Sequence, residues 1–430
     1  MFKDIKTVTV IGANGTLGKE VSGIFSSFGD AKVYMVSRTL EKAEQARKNA
    51  ALSVKAISVE ENLIPKTYED LEQCIKKSDL IFESVVEDFE IKKEIHELID
   101  RYVNSESIIA TGTSGLSINE LANCYSEENK KNFIGMHFFN PPYSLTLCEL
   151  IPSIYNKENR NFIEDIKRYL SDKLKRDVIE VNDEPAFLAN KIGFKFMNEA
   201  LQFAEKYQER GGIDYIDSIL GCYTGRNMPP IETIDFVGLD VHKAIVDNIY
   251  EKAENTEKES FKLPKYLDGL INEQKIGKKV GEGLFKKDNN DILVYDIKTN
   301  QYRQKREYKF GFKEEAIKYF KHGDYQKGIN AIINDATEES KICIKLLLSY
   351  IIYSIETSNI VSKDIMDCDI AMANGFNWIP PCSLIDALEG KEKVIELCNK
   401  YLGKDKDYEK ILKNTKKSQF DYRKFLKARE

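Results

Sequence analysis

Residues 7–25 read TVTVIGANGTLGKEVSGIF. A run of β-branched residues from Thr7 to Ile11 has the character of a strand, glycines at 12, 15 and 18 punctuate the turn after it, and apolar residues then recur at helical spacing. Glycines between a strand and a helix let the backbone turn tightly and approach a pyrophosphate, whose charge is favoured at the helix N-terminus. The triplet alone is weak, since a glycine turn without ligand shows it too; its place between strand and helix makes dinucleotide binding the reading. Gly12, Asn14, Gly15, Thr16, Leu17 and Gly18 are its candidate contacts.

Outward from this loop, residues 1–182 alternate β-branched runs with longer charged segments. TVTVIG, KVYMVS, DLIFES, SIIATG, NFIGMHFF and DVIEVN are the strand candidates, and the rhythm predicts a doubly wound α/β domain of Rossmann type, its sheet parallel with crossover helices. From Asp183 the strand signal fades and residues 186–207 carry apolar side chains at helical spacing. We expect a helical domain over 183–286, a polar linker with room for one small hairpin over 287–311, and helix again over 312–430. NMPPIETIDFVG around Pro229, Pro230 and Asp235 returns as NWIPPCSLIDALEG around Pro380, Pro381 and Asp386. This suggests a duplicated helical unit, the alternative being two similar proline-started turns.

The formal net charge of −6 argues against nucleic acid as the main partner, because phosphate binding needs a basic stripe. Eight cysteines without a C-x-x-C pair fit neither a zinc site nor a disulfide framework, so reduced thiols and no metal are expected. The first strand stands too close to Met1 for a signal peptide, and no apolar run nears the length of a membrane span. The expectation is a cytoplasmic protein with no membrane partner.

The second strand ends at Ser37, where a site selective for NAD usually places an acid on the ribose 2′-hydroxyl. Ser37 and Arg38 stand there instead. A missing carboxylate removes repulsion toward a 2′-phosphate and a guanidinium can pair with it, which favours NADP over NAD; the alternative is a surface arginine stacked on adenine.

Of four histidines, His96, His242 and His322 read as packing or surface residues. His137 closes a strand and heads GMHFFNPPYSLTLCEL, at the carboxyl edge where open α/β sheets bind ligands. Glu149 follows twelve residues later, enough chain to bring a carboxylate back to the imidazole and fix its tautomer. Asn140, Pro141 and Pro142 between them are equally compatible with a plain turn.

Six segments, DLIFESVVEDFEIKKEI, ATGTSGLSI, GMHFFNPPYSLTLCEL, DEPAFLANK, NMPPIETIDFVGLD and IGKKVGEGLF, resemble in order and spacing those of the 3-hydroxyacyl-CoA dehydrogenase family, in the form whose C-terminal helical domain is duplicated and which lacks a hydratase domain. The resemblance implies hydride transfer between a nicotinamide cofactor, NAD in most members, and C3 of an acyl-CoA or related thioester. His137 is then the general base and Glu149 its orienting partner. Ser114 would bond the reacting oxygen, Asn190 and Asn140 would contact substrate, and Glu87 and Lys92 would lie near the nicotinamide ribose. Read as bare residues, Ser114 also suits a helix cap near Ser117, Asn190 an interior amide, and Glu87 with Lys92 a solvated charge pair.

The sequence departs from the family pattern in places. Asn14 is an extra residue in the glycine loop, Gly112 stands where Asn is usual, Gly115 where Ser is usual, and Ala186 where Gly is usual. The stretch between Arg38 and Ile64 is shorter than the usual helical excursion that helps hold CoA. Lys42, Arg47, Lys48 and Lys55 could meet CoA phosphates, although they also read as solvated helix charges. Acyl carrier protein or a free 3-hydroxy acid therefore stays open as the substrate form, as does a catalytically silent binding protein. The second helical unit has no counterpart of FLANK, and an internal duplicate would cover the face through which single-copy relatives dimerise. A monomer is expected, or at most a weak dimer.

Overall fold

The computed structural model describes residues 4–54, 57–289 and 291–429, so Lys55 lies outside the described residues. Two units are distinguished: one runs to Phe187 and takes in Val361–Lys363, and the other comprises Leu188–Ile360 and the chain from Asp364 on.

In the first unit the order is β1 (Thr7–Ile11), α1 (Thr16–Ser27), β2 (Lys32–Ser37), α2 (Leu40–Ser53), β3 (Leu63–Thr67), α3 (Leu71–Lys76), β4 (Leu80–Glu83), α4 (Phe89–Tyr102), β5 (Ile108–Thr111), α5 (Ile118–Ala122), β6 (Phe133–Phe138), β7 (Leu147–Pro152), α6 (Arg160–Arg168) and β8 (Asp177–Glu180). The strands form one eight-stranded sheet in the order β3-β2-β1-β4-β5-β6-β7-β8. From β1 the chain first winds outward to β2 and β3, then crosses back to β4 on the other side. The carboxyl ends of β1 and β4 therefore flank a switch point, the place where such sheets take ligands. Central strands are buried on both faces, as Val8, Val10, Leu80, Ile81 and Phe82 show, which is why they read as unbroken apolar runs.

All six expected strands are present, and two more were not legible. β3 contains Pro65 and buries only Leu63; as an edge strand it tolerates a residue that cannot donate to a ladder. β7 carries Glu149 in its middle and closes on Pro152. The sheet is also not uniformly parallel. β7 runs antiparallel to β6, and β8 runs parallel to β7. Only eight residues join β6 to β7, too few for the crossover of a dozen or more that a parallel return requires.

The second unit opens with α7 (Ala189–Lys206), α8 (Ile213–Ile219), α9 (Pro230–Val237), α10 (Leu239–Lys252), α11 (Asn255–Ser260) and α12 (Lys265–Asn272). After β9 (Phe285–Asp288), β10 (Asp291–Asp296) and β11 (Gln301–Gln304) come α13 (Gly311–Lys321), α14 (Tyr325–Asn334), α15 (Glu338–Val361), α16 (Asp367–Ala371), α17 (Pro381–Ala387), α18 (Lys391–Tyr401) and α19 (Tyr408–Leu412). No described helix is long and apolar enough to cross a membrane. Where a linker with one hairpin was expected, β9–β11 form a three-stranded antiparallel sheet. It is anchored rather than loose: Arg303 donates to both oxygens of the buried Asp214 at 2.7 and 2.8 Å, a paired geometry that satisfies a desolvated carboxylate.

One device recurs. Asp217 of α8 accepts the amides of Ile231 and Glu232 at 2.8 and 2.9 Å at the start of α9. Asp369 of α16 accepts the amide of Cys382 at 2.7 Å at the start of α17. Each helix begins with proline at its first position, where no amide is missed. Arg226 has no exposed surface, its guanidinium 3.8 Å from the ring centre of Phe196, 4.8 Å from Trp378 and 5.1 Å from Tyr350. Burial lowers its pKa to about 10, which leaves it charged at neutral pH.

His242 is a packing histidine, stacked on Phe194 with ring centres 5.4 Å apart. Asn198 spends its amide group on the carbonyls of Ser260 and Lys262, so its oxygen accepts from His242 Nε2 at 3.3 Å. Burial pushes this imidazole down to about 3, so the unfolded chain takes up the proton more readily. Its contribution to stability is complete above a pH of about 6.5 and drains as pH falls toward the folded pKa, at up to about 1.4 kcal/mol per pH unit. Denaturant titrations between neutral and acidic pH should show this decline, and His242→Met should flatten it; an unchanged slope would contradict the assignment.

Candidate active site

Gly12 leaves β1 at φ +81°, and a Cβ there would stand 2.4 Å from the Ser84 carbonyl oxygen. A Cβ on Gly18 would stand 2.5 Å from the Gly12 carbonyl oxygen. Both glycines are demanded by close backbone approach. The amides of Gly12 and Ala13 donate to the Val36 carbonyl at 3.0 and 3.1 Å, tying the loop to the end of β2. No side chain caps α1 at Gly15 and no acid lies in its first turn, so the positive helix end is left unopposed, as an anion site requires. The extra residue Asn14 and Thr16 are exposed, and Leu17 is half-buried. At the end of β2 the hydroxyl of Ser37 is fully buried with no partner, and Arg38 beside it is exposed. Uncapped amides, glycines that admit no Cβ and an orphaned hydroxyl at the strand end fit a dinucleotide.

At the end of β4 the chain buries a second charge. Glu83 has no exposed surface and accepts from Lys92 Nζ at 2.8 and 3.1 Å, Thr111 Oγ1 at 2.6 Å and the Val85 amide at 2.6 Å. Burial by itself would raise this carboxyl, but the Lys92 ammonium and the His96 imidazole outweigh it and hold the pKa at about 2. Lys92, at 1% exposure, is thus no solvated partner of Glu87, although Glu87 lies 3.4 Å from it on the other side. Glu87 accepts from Thr113 Oγ1 and from the amides of Ser114 and Gly115, at 2.6, 2.7 and 3.2 Å. The carboxylate therefore moulds the loop that carries Ser114.

The cap reading of Ser114 does not hold. Ser117 is the N-cap of α5, accepting the Glu120 amide at 3.2 Å. Asp183 completes the cap by accepting the amides of Ile118 and Asn119 at 2.9 and 2.8 Å and the Ser117 hydroxyl at 2.7 Å. Ser114 is left outside the helix, half-buried at the carboxyl end of the sheet. A Cβ at Gly112 would stand 2.7 Å from the Phe82 ring, so the Asn expected there from the resemblance would fit only if that ring shifted.

His137 and Glu149 are direct cross-strand partners in the β6/β7 ladder, so their side chains share a face. His137 Nδ1 and Glu149 Oε2 are 2.7 Å apart; His137 is 3% exposed and Glu149 not at all. Phe139 and Phe187 flank the imidazole with ring centres 4.4 and 5.6 Å away. Phe187 and Ala186 sit at φ +57° and +60°, a left-handed pair that explains why glycine is usual at 186. Asn140 is exposed and begins the turn after β6. Asn190 lies in the first turn of α7 in the second unit, 6% exposed. On α2, Lys42 and Lys48 are exposed and Arg47 pairs with Glu44 at 3.0 Å. Sequence reasoning missed Glu83, Asp183 and Phe187. A glutamate inside the apolar run LIFES was the one signal that could have revealed the first.

A sheet with a glycine loop at its switch point defines the class as a Rossmann-type dinucleotide-binding fold joined to a helical region. Residues 7–184 match the model of the 3-hydroxyacyl-CoA dehydrogenase NAD-binding domain and residues 187–287 that of the same family's C-terminal domain. The chain belongs to the 3-hydroxyacyl-CoA dehydrogenase family. A probable 3-hydroxyacyl-CoA dehydrogenase of Bacillus subtilis is 29% identical over 387 residues, which is 89% of this chain and 47% of that protein. The chain thus spans about half the length of that relative. The mitochondrial hydroxyacyl-coenzyme A dehydrogenase of Rattus norvegicus is 29% identical over 301 residues, 66% of this chain and 91% of that one. Among solved structures, 3-hydroxybutyryl-CoA dehydrogenase from Escherichia coli K12 shares the fold over 94% of this chain and 96% of its own, with a TM-score of 0.68 at 17% identity.

Gly12→Ala should move the loop away from β2 and β4. The strain of a left-handed alanine, about 1–2 kcal/mol, translates into roughly tenfold weaker dinucleotide binding or more, measurable by calorimetry with NADH or NADPH; undiminished affinity would show that the loop does not bind the cofactor.

Proposed function

We propose that this chain interconverts 3-hydroxyacyl-CoA and 3-ketoacyl-CoA, with His137 as the acid–base residue. The observation that carries the reading is the 2.7 Å contact between His137 Nδ1 and Glu149 on facing strands, at the sheet edge where ligands of this fold bind. With Nδ1 held by the carboxylate, Nε2 is free to take the 3-hydroxyl proton as hydride leaves C3, and to return it in the reverse direction. Glu149 balances the imidazolium so formed. The nicotinamide, when bound, accepts the hydride in oxidation and donates it in reduction. Ser114, on the loop gripped by Glu87, is assigned the hydrogen bond to the reacting oxygen, which stabilises its developing charge. Asn140 and Asn190 are assigned to substrate, and Glu87 and Lys92 to the ribose side of the site. The relatives, named as 3-hydroxyacyl-CoA or 3-hydroxybutyryl-CoA dehydrogenases, support the thioester.

Ser37 and Arg38 support NADP over the NAD usual in the family. The two proline-started, aspartate-capped turns support residues 312–430 as a second copy of 183–286, and with it a monomer.

His137→Ala should lower kcat for acetoacetyl-CoA reduction by roughly two to four orders of magnitude in protein that circular dichroism shows to be folded, with a lowered thermal midpoint because the buried Glu149 loses its imidazole partner. Longer 3-ketoacyl-CoAs, acyl-carrier-protein thioesters and free 3-keto acids belong in the same assay. Turnover confined to free acids would replace the thioester, and no turnover of any of them would leave a binding protein. Arg38→Ala should weaken NADPH at least tenfold and leave NADH unchanged; a preference for NADH indifferent to the substitution would overturn the NADP assignment.

A further inference from the structure

The turn that starts α17 repeats the one that starts α9, and superposing their hydrogen bonds isolates two residues. The amide held by the capping aspartate belongs to Ile231 in the first turn and to Cys382 in the second. The residue just before that aspartate is Ile216 in the first and Cys368 in the second. Both isoleucines are wholly buried, so plain hydrocarbon fills these positions without loss of the cap. In the second turn thiols replace both together. Sγ of Cys368 and Sγ of Cys382 lie within 4.8 Å of each other, and Met366 brings its Sδ to 3.8 Å from Cys382 Sγ. The thiols are at most 1% exposed, whereas Met366 is half-buried and gives the cluster a side toward solvent.

Sulfur donors about 2.3 Å from a metal stand roughly 3.8–4.0 Å apart in tetrahedral or trigonal sets, the separation seen between Met366 and Cys382. The neighbouring carboxylate is already committed: Asp369 accepts the Cys382 amide through Oδ1 and the Ser418 hydroxyl through Oδ2. What remains is two thiols and a thioether, a soft set suited to a monovalent copper ion and poorly suited to zinc, which takes nitrogen, oxygen and thiolate donors. We propose that Met366, Cys368 and Cys382 form a binding site for copper(I). The Cys368 S–H donates to the Ile365 carbonyl at 3.1 Å and the Cys382 S–H to Met366 Sδ at 3.8 Å; both bonds are given up when the two thiols ligate copper(I) as thiolates and their two protons pass to solvent. The Lys416 amide at 3.4 Å steadies the Met366 sulfur. Among the described residues no other group of three or more histidine, cysteine or acidic side chains converges in this way.

The test is an oxygen-free titration of the reduced full chain with copper(I) against the chelator bicinchoninate. One equivalent should be withheld from the chelator, with sulfur-only coordination at the copper K-edge and a raised thermal midpoint. The Cys368→Val/Cys382→Val variant, which restores the hydrocarbon of the other turn, should lose all three signals; Met366→Leu should weaken retention at least tenfold, and Cys124→Ser should change nothing. Copper stripped completely from the parent, retention by the valine variant, or oxygen and nitrogen ligands in the spectrum would overturn the site, and so would stoichiometric displacement by zinc(II). Should the valine variant not fold, Met366→Leu and the K-edge spectrum of the parent decide.

Discussion

A carboxylate buried as fully as Glu149 has to meet a charge or a donor, and the short return from β6 to β7 puts His137 directly across from it. Much of the first unit follows from that one contact. Eight residues cannot carry a crossover helix, so β7 must reverse. Reversal sets the ladder register in which His137 faces Glu149, and β8 then takes its direction from β7. Because side chains alternate across a strand, a slip of one residue would turn Glu149 to the opposite face and strand its charge. Electrostatics and pairing register enforce each other here.

Glu83 plays the equivalent part at the end of β4. It gathers Lys92, Thr111 and His96 at the carboxyl end of β4, and Lys92 in turn lies beside Glu87, which shapes the loop of Ser114. Removing one member of such a set leaves an uncompensated buried charge, a far larger penalty than losing a surface pair. Two acids with no exposed surface thus organise the carboxyl edge of the sheet, one under the loop of Ser114 and one behind the histidine.

How much of this was legible depended on how local each signal is. The glycine loop and the central strands announce themselves because turn chemistry and β-branched runs act over a few residues. β3 and β7 were hidden by Pro65 and Glu149, residues that speak against a strand unless its edge position or its cross-strand partner is known. The twelve-residue interval from His137 to Glu149 fits a plain turn as well as a pair, and only the register decides between them. Ser114 and Ser117 compete for one cap in the sequence; Asp183, distant along the chain, settles it for Ser117. Lys92 reads as a surface charge near Glu87 until α4 is seen to turn it onto Glu83. The meeting of Cys368 and Cys382 across two helices leaves no spacing motif at all.

Arg226 carries a consequence for how such a chain can change over generations. Its guanidinium is enclosed by Phe196 from α7, by Tyr350 from α15 and by Trp378 from the turn before α17. Were the later helices lost in one deletion, a cation and the aromatic face it covers would be laid open at once. A shorter descendant is reachable only if position 226 becomes neutral first, while the rings still shield it. The order of substitutions is therefore constrained, and a single buried cation acts as a ratchet that ties the later helices to the earlier ones.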